Sequence, residues 1–178
     1  MLKYRSFTLL LFLFSTAQVL AQDWWTKTKQ ESIPKDLTST TLLVEKFKTK
    51  KLDDAPVQAF LDKENTSEHP LIKKTNENLD VYNEELKVIF KNYKFPYELA
   101  SEKRCEDSVK FPFAQNKYVL KHDVYLRRYQ KNGVSDYYYT YVFYFFDRET
   151  KRNYPYIYLF EEKPLKSLEL LIGYLNSL

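Results

Sequence analysis

Two histidines, His69 and His122, are the side chains best suited to carry protons near neutral pH. His122 stands between Leu120 and Val124 on the apolar face of a predicted strand. Such a position is more typical of a core histidine than of a general base. Hydrolysis by His122 would also require an Asp or Glu within hydrogen-bond reach, in a concave pocket. Catalysis by His122 is therefore the alternative hypothesis, and we do not predict an enzyme.

The chain lacks the other motifs that mark a reaction centre. Cys105 is the single cysteine, so no internal disulfide can form, and no motif around it indicates a reactive thiol. With only Gly133 and Gly173, the sequence has no glycine-rich phosphate loop. No spacing of His, Cys, Asp or Glu matches a metal-binding motif. We predict no cofactor, no metal site and no chemistry at Cys105.

Aromatic residues make up 17% of the chain and concentrate in its C-terminal half. Because side chains alternate along a strand, the tyrosines of the segment 137–146 cannot all face one layer of helices. We predict that Tyr137, Tyr139 and Tyr141, or their neighbours, form an exposed platform for a protein or a glycan. Tyrosine suits this role because it combines a large contact area with a polar tip. The alternative is that tyrosine fills both faces of a twisted sheet.

Basic residues flank these aromatics near two predicted turns. They are Arg127, Arg128, Lys131, Arg148, Lys151 and Arg152. Basic and aromatic side chains in alternation are typical of platforms for single-stranded nucleic acid. However, the formal net charge is only +4, and two of those charges belong to an N-terminal export segment described next. We predict no nucleic-acid partner.

The N-terminal segment Met1–Ala21 has the pattern of a cleaved secretory signal. Lys3 and Arg5 precede an apolar segment at 7–14 that is too short to span a bilayer, and small residues occupy the positions that signal peptidase reads. We predict cleavage between Ala21 and Gln22. The product is expected to be periplasmic or extracellular, without a further membrane span, and able to associate peripherally with the outer membrane.

The remaining sequence divides into a polar arm over 22–39 and a single domain over 40–178. Trp24 and Trp25 in the arm either dock on the domain or contact a partner. In the domain, apolar spacing predicts a long amphipathic helix over 70–93, with Asn76 and Asn83 facing solvent. Pro164 begins a second amphipathic helix. Strands are predicted at 40–47, 97–100, 118–129, 137–146 and 156–160.

This order of elements predicts an α+β fold, β-α-β-β-β-β-α. A sheet has to bury its apolar face, and the two amphipathic helices can cover one side of it. We therefore expect a two-layer sandwich with a mostly antiparallel sheet and both helices on one face. Two short connections in succession predict an antiparallel meander, in which the strand at 137–146 lies between its two neighbours.

Two short motifs are candidate modification sites. Asn65 begins the tripeptide Asn65-Thr66-Ser67, which fits the N-glycosylation pattern in a polar loop. Ser108 is the central residue of Asp107-Ser108-Val109, which resembles the short acceptor motif of exported O-glycoproteins of Bacteroidetes.

The chain as a whole resembles small exported proteins of Bacteroidetes. The resemblance rests on the Ala21-Gln22 junction, the lead-in 33–37 to the strand at 41–44, and a composition rich in Tyr, Lys and Asn. The order of elements is similar to α/β sandwich modules related to the TolB N-terminal domain, although the lipid-anchoring cysteine of the lipoprotein members is missing. This resemblance carries over no functional residues.

From these features we predict an exported, non-catalytic interaction module that binds a protein or an envelope component. The alternatives are a small hydrolase of envelope polymers that uses His122, and a purely structural envelope protein.

Overall fold

The computed structural model describes residues 31–50, 70–131, 134–158 and 164–178. Within these ranges the side chains of 70–71, 125–140, 158 and 164 are not described. The predicted cleavage site at Ala21 and Gln22, the tryptophans Trp24 and Trp25, and the glycosylation candidate Asn65 lie outside the described residues.

The described ranges contain six strands and four α-helices, preceded by a 3-10 turn at Leu37–Ser39. The strands are β1 (Leu42–Glu45), β2 (Tyr97–Ala100), β3 (Tyr118–Lys131), β4 (Val134–Asp147), β5 (Arg152–Asn153) and β6 (Ile157–Tyr158). The helices are α1 (Pro70–Glu77), α2 (Leu79–Phe90), α3 (Glu102–Cys105) and α4 (Pro164–Leu175). The chain therefore has the predicted α+β fold.

The strands form one mixed sheet in the order β2-β1-β3-β4-β5, and β6 also pairs with β4. β4 is antiparallel to β3, β5 and β6, so its predicted place inside the meander is confirmed. In contrast, β1 is parallel to both β2 and β3. A parallel pair requires a crossover connection, and α1 and α2 lie in the one between β1 and β2.

The main hydrophobic core brings one face of the sheet together with α2 and α4. Because side chains alternate along β4, Tyr141, Phe143 and Phe145 point into this core, and each is at most 2% exposed. The helices add residues at three- and four-residue spacing, namely Leu86, Ile89, Phe90, Leu165, Leu168, Leu171, Ile172 and Leu175. Burial of this apolar face, more than intrinsic propensity, stabilises the two helices.

The segment 31–39, predicted to be part of a polar arm, contributes to the same core. Ile33 is 6% exposed and Leu37 is 1% exposed. Asp36 accepts a hydrogen bond from the Tyr118 hydroxyl at 2.5 Å, and it lies 3.3 Å from the Lys117 ammonium. These contacts fasten the segment to the start of β3, so the described part of the arm is integral to the domain.

The helix predicted over 70–93 is interrupted at Asn78 and forms two helices. The Asn78 side chain donates to the Lys74 carbonyl at 2.8 Å, and its backbone N–H donates to the Thr75 carbonyl at 3.1 Å. Thr75 is fully buried, and its hydroxyl is hydrogen-bonded to the Tyr141 hydroxyl. The apolar periodicity continues across the break, which is why the pattern predicts a single helix.

Asn76 and Asn83, predicted to face solvent, instead hold the segment 46–50 against the helices. The Asn83 amide accepts a hydrogen bond from the Phe47 N–H at 2.8 Å and donates to the Phe47 carbonyl at 3.0 Å. Asn76 makes the same pair of bonds with the backbone of Lys50, at 2.9 and 3.0 Å. Each amide thus satisfies both backbone polar groups of one residue, as a neighbouring strand would.

Replacing Asn83 by Asp tests this role, because a carboxylate keeps the shape of the amide but cannot donate to the Phe47 carbonyl. We expect the free energy of unfolding to fall by about 1–3 kcal/mol. Urea unfolding followed by circular dichroism measures this change. Glu84→Gln, at the exposed neighbouring position, is the control. Equal stabilities of the two variants would contradict the assignment.

The second face of the sheet is covered in part by the connector 101–116. Cys105 of α3 and Phe111 pack there against Leu43, Ala100 and Val119, and these residues form a smaller hydrophobic cluster. The connector, predicted only as a polar loop, therefore gives the sheet a second buried region. Toward β4 and β6, Tyr144 and Tyr156 on this face are half-buried.

Arg148, directly after β4, organises the connector from inside. It is 1% exposed, and its guanidinium donates to the carbonyls of Phe111 at 2.8 Å, Asn116 at 2.7 Å and Asp107 at 3.3 Å. The ring of Phe113 lies 4.8 Å from the guanidinium carbon. Within the described ranges no carboxylate forms an ion pair with Arg148. One buried cation thus holds both ends of the turn at 107–116.

Candidate functional site

Tyr141 lies in the main hydrophobic core. It is 2% exposed, its ring centroid is 6.4 Å from that of Phe47, and its hydroxyl contacts Thr75. Tyr137 and Tyr139 belong to the same strand, and their side chains are outside the described part of the chain. The exposed platform predicted from the sequence therefore does not include Tyr141.

His122 is enclosed by aromatic rings. It is 5% exposed, stacks on Phe47 at a centroid distance of 4.1 Å and contacts Phe143 edge-on at 6.4 Å. Burial, with a smaller effect from the Lys50 charge, lowers the pKa of His122 to about 3. In the described part of the chain, neither ring nitrogen has a hydrogen-bond partner of normal geometry. No carboxylate of that part is therefore hydrogen-bonded to His122, as the hydrolase alternative requires.

Cys105 has the surroundings of a structural cysteine. Its side chain is 2% exposed, and its thiol lies 3.9 Å from the Ala100 carbonyl. Burial, and next the Glu45 carboxylate, raise the pKa of the thiol to about 11. A protonated, enclosed thiol is a poor nucleophile, so Cys105 belongs to the packing of the second face.

Ser108 occupies an exposed turn of the connector. The Asp107 carboxylate accepts hydrogen bonds from the N–H groups of Val109 and Lys110, each at 3.0 Å, which fixes the turn around Ser108. Hydrogen bonding to Lys110 and Val109 also lowers the pKa of Asp107. The Ser108 side chain is accordingly in a position that a modifying enzyme could reach.

A row of polar and aromatic side chains crosses the second face of the sheet beside the connector. Glu45 of β1 pairs with Ala100, and it follows Val44, which pairs with Leu120 of β3, so Glu45 and Lys121 lie beside each other. On its other side, Lys121 pairs with Tyr144 of β4. Lys121 and Glu45 form an ion pair of 3.6 Å. Tyr144 continues the row toward β6, where its ring contacts Tyr156 at 5.2 Å.

The carboxylate of Glu45 is the most buried charge in this row. It is 3% exposed and lies between the ammonium groups of Lys121 and Lys48, at 3.6 and 3.4 Å. Lys48 also pairs with Glu102 of α3, which ties the connector to the same network. Two cations thus neutralise Glu45, and this network positions the Lys121 side chain beside the tyrosines.

Aromatic rings with nearby cations extend the row toward the β4–β5 turn. The ammonium of Lys121 lies 4.8 Å from the centre of the Phe146 ring, and that of Lys151 lies 6.0 Å from it. Lys151 is also 5.4 Å from the ring of Phe113. Tyr144, Phe146 and Tyr156 are half-buried, and Phe113 is 36% exposed. We call Lys121, Tyr144, Phe146, Lys151 and Tyr156 the aromatic–lysine surface.

The sequence of β4 does not show which of its side chains belong to this surface. Both alternating sets in β4 are apolar or aromatic, so the pattern does not indicate which set faces the helices. The available signal was in β3, where Lys121 and Asp123 define a polar face and His122 an apolar one. Pairing β3 with β4 in the correct register would have placed Tyr144, opposite Lys121, on the polar side.

The basic residues flanking the aromatics do not form one patch. Arg148 is buried and bonded to the connector, whereas Lys151 and Arg152 are exposed at the β4–β5 turn. The β3–β4 hairpin closes at the opposite end of β4, where Lys131 pairs with Val134. The strand length therefore separates the two groups of cations.

Within the described ranges, no group of three or more His, Cys, Asp or Glu side chains could hold a metal ion. Comparison of the chain with protein-family models, with curated proteins and with solved structures gave no match.

Proposed function

We propose that the protein is an exported, non-catalytic interaction module that binds a protein or glycan of the cell envelope through the aromatic–lysine surface. The observation that carries the proposal is the row Lys121–Tyr144–Tyr156, in which half-buried aromatic rings stand beside cations on the sheet face opposite α2 and α4.

The chemistry of this surface suits recognition. Tyrosine rings offer apolar contact area at little cost in conformational entropy, and their hydroxyls can hydrogen-bond to a protein backbone or a sugar. Burial raises the pKa of Tyr144, with smaller contributions from Asp123 and Glu45, so its hydroxyl stays protonated and can donate. Lys121 adds a cation that the Glu45 network holds in place.

Export is the second part of the proposal. It rests on the signal-like segment Met1–Ala21 and on the resemblance to exported Bacteroidetes proteins of TolB N-terminal type. No helix in the described ranges is long and apolar enough to cross a membrane. The hydrolase alternative has less support, because His122 lies between aromatic rings. A purely structural envelope protein would also be exported but would have no specific binding partner.

The double variant Tyr144→Ser, Tyr156→Ser tests the surface. We expect retention of the partner from an envelope extract to fall about 30-fold or more, since truncating one hot-spot tyrosine of an interface costs about 2 kcal/mol or more. Binding of extract components to the immobilised chain measures the effect. Treating the extract with protease distinguishes a protein partner, which is destroyed, from a glycan, which is not.

The matched control replaces two exposed apolar residues of the helix layer, Val81→Ser and Val88→Ser, which are 52% and 59% exposed. The control should retain the partner as the unmodified chain does. Equal retention by both double variants would place the binding surface elsewhere. Circular dichroism of each variant checks that the fold is intact.

A further inference from the structure

A groove with both apolar and polar lining lies between the segment 33–38 and the C-terminal end of α4. It encloses about 340 Å³ and is lined by Ile33, Pro34, Lys35, Thr38, Tyr174 and Leu178. Of these lining residues, Ile33 and Pro34 are buried and Tyr174 is half-buried. The groove is thus continuous with the main core, where Ile33 also packs.

The rim of the groove combines a bare apolar side chain with a cation. Leu178 is 58% exposed, so much of its side chain faces water in the described structure. Lys35, which also lines the groove, is exposed. An aromatic ring placed here would cover Leu178 and would present its face to the Lys35 ammonium. The attraction between a cation and an aromatic ring would favour this arrangement.

The sequence supplies such a ring immediately upstream. Trp24 and Trp25 are the only tryptophans of the chain, and six residue steps separate Trp25 from Glu31, the first described residue. Those steps span at most about 20 Å when fully extended. Glu31 lines a neighbouring cleft that shares Ile33 and Lys35 with the groove. The pair is therefore held near the groove at an effective concentration on the order of millimolar, as for a short linker.

We propose that one indole of the Trp24–Trp25 pair docks in the groove at Ile33, Pro34, Tyr174 and Leu178. A tryptophan buries on the order of 150–250 Å² in such a site. The docked ring fastens the N-terminal segment to the end of α4. Because it acts within one chain, this contact is separate from partner binding by the aromatic–lysine surface and does not depend on that proposal.

Tryptophan fluorescence tests the contact directly, since no other tryptophan contributes to the emission. Both tryptophans are present whether or not residues 1–21 are removed. We expect the folded protein to emit at shorter wavelength than the urea-unfolded chain. Leu178→Glu should shift the emission to longer wavelength and raise the acrylamide quenching constant about twofold or more. The reason is that the indole moves out of the groove and becomes exposed to water. Single Trp24→Phe and Trp25→Phe variants identify the docked ring.

Leu170→Glu is the matched control, because Leu170 of α4 is 55% exposed and lies outside the groove. It should leave the emission unchanged. Identical emission from the Leu178→Glu and Leu170→Glu variants would overturn the proposal, as would water-like emission from the folded protein. A blue shift that disappears on dilution would also overturn it, since the indole would then occupy a second copy of the chain.

Discussion

Arg148→Met is expected to lower the free energy of unfolding by about 3–5 kcal/mol, since the variant loses three hydrogen bonds from a buried cation. Methionine retains the apolar stem of arginine, so the change isolates the guanidinium. The carbonyls of Phe111, Asn116 and Asp107 lose the donor that now satisfies them. Urea unfolding of the variant and the unmodified protein measures the loss.

Arg152→Met is the control for this experiment, since it makes the same substitution at an exposed position of β5. It should alter stability by less than about 1 kcal/mol. If both variants unfolded at the same urea concentration, Arg148 would not be holding the connector.

The reactivity of the Cys105 thiol measures the effect of Arg148→Met on the connector itself. Cys105 is the only cysteine, and it belongs to the connector that Arg148 holds, where its side chain is buried against the sheet. Weakening the connector by about 3 kcal/mol should speed labelling of the thiol in the folded protein about 100-fold, provided that labelling proceeds through local opening. An unchanged labelling rate would mean that the connector stays closed without the guanidinium.

Local sequence patterns were sufficient for most of the elements. The apolar segment after Pro96 predicted β2 with the bounds that the structure has, and Pro164 marked the start of α4. The short connection between the strands at 118–129 and 137–146 predicted an antiparallel pair, and the register of β3 and β4 pairs Lys131 with Val134. These features depend on neighbouring residues, which is why a single sequence reveals them.

Contacts between distant parts of the chain were not predictable in the same way. Asn76 and Asn83 look like solvent-facing residues on a helix, yet their partners lie 26 and 36 positions away, in the segment 46–50. Likewise, β1 pairs in parallel with both of its neighbours. This pairing depends on the path of the chain through the connections between the strands, and the residues of β1 do not indicate it.

The candidate site shows the same limit. Strand alternation correctly divides β4 into two sets of side chains, but both sets are apolar enough to be buried. Packing against α2 and α4 decides that Tyr141 is inside, while the pairing with Lys121 decides that Tyr144 is on the second face. Arg148 had no distinguishing pattern, because its partners are backbone carbonyls, which every residue carries.

The stability of the protein should decline as the pH falls from 7 to 5, and His122 should account for the decline. Its pKa in the folded protein is about 3, against an ordinary value of 6.5 in the unfolded chain. Between these values the unfolded state binds one more proton, so acid favours unfolding by about 1.4 kcal/mol per pH unit. The expected loss between pH 7 and pH 5 is about 2 kcal/mol.

Replacing His122 by Phe removes this dependence, because a phenyl ring can stack on Phe47 but binds no proton. Urea unfolding at pH 7, 6 and 5 should give a nearly flat stability for the variant and a falling one for the unmodified protein. The range from pH 7 to pH 5 separates the effect of His122 from those of Asp36 and Glu102. Their pKa values are lowered in the folded protein, so the stability that these two carboxylates contribute is lost only below their ordinary pKa values of 3.8 and 4.5. His69→Gln isolates any share of the other histidine. Parallel slopes for the His122→Phe variant and the unmodified protein would show that the imidazole is not buried in its neutral form.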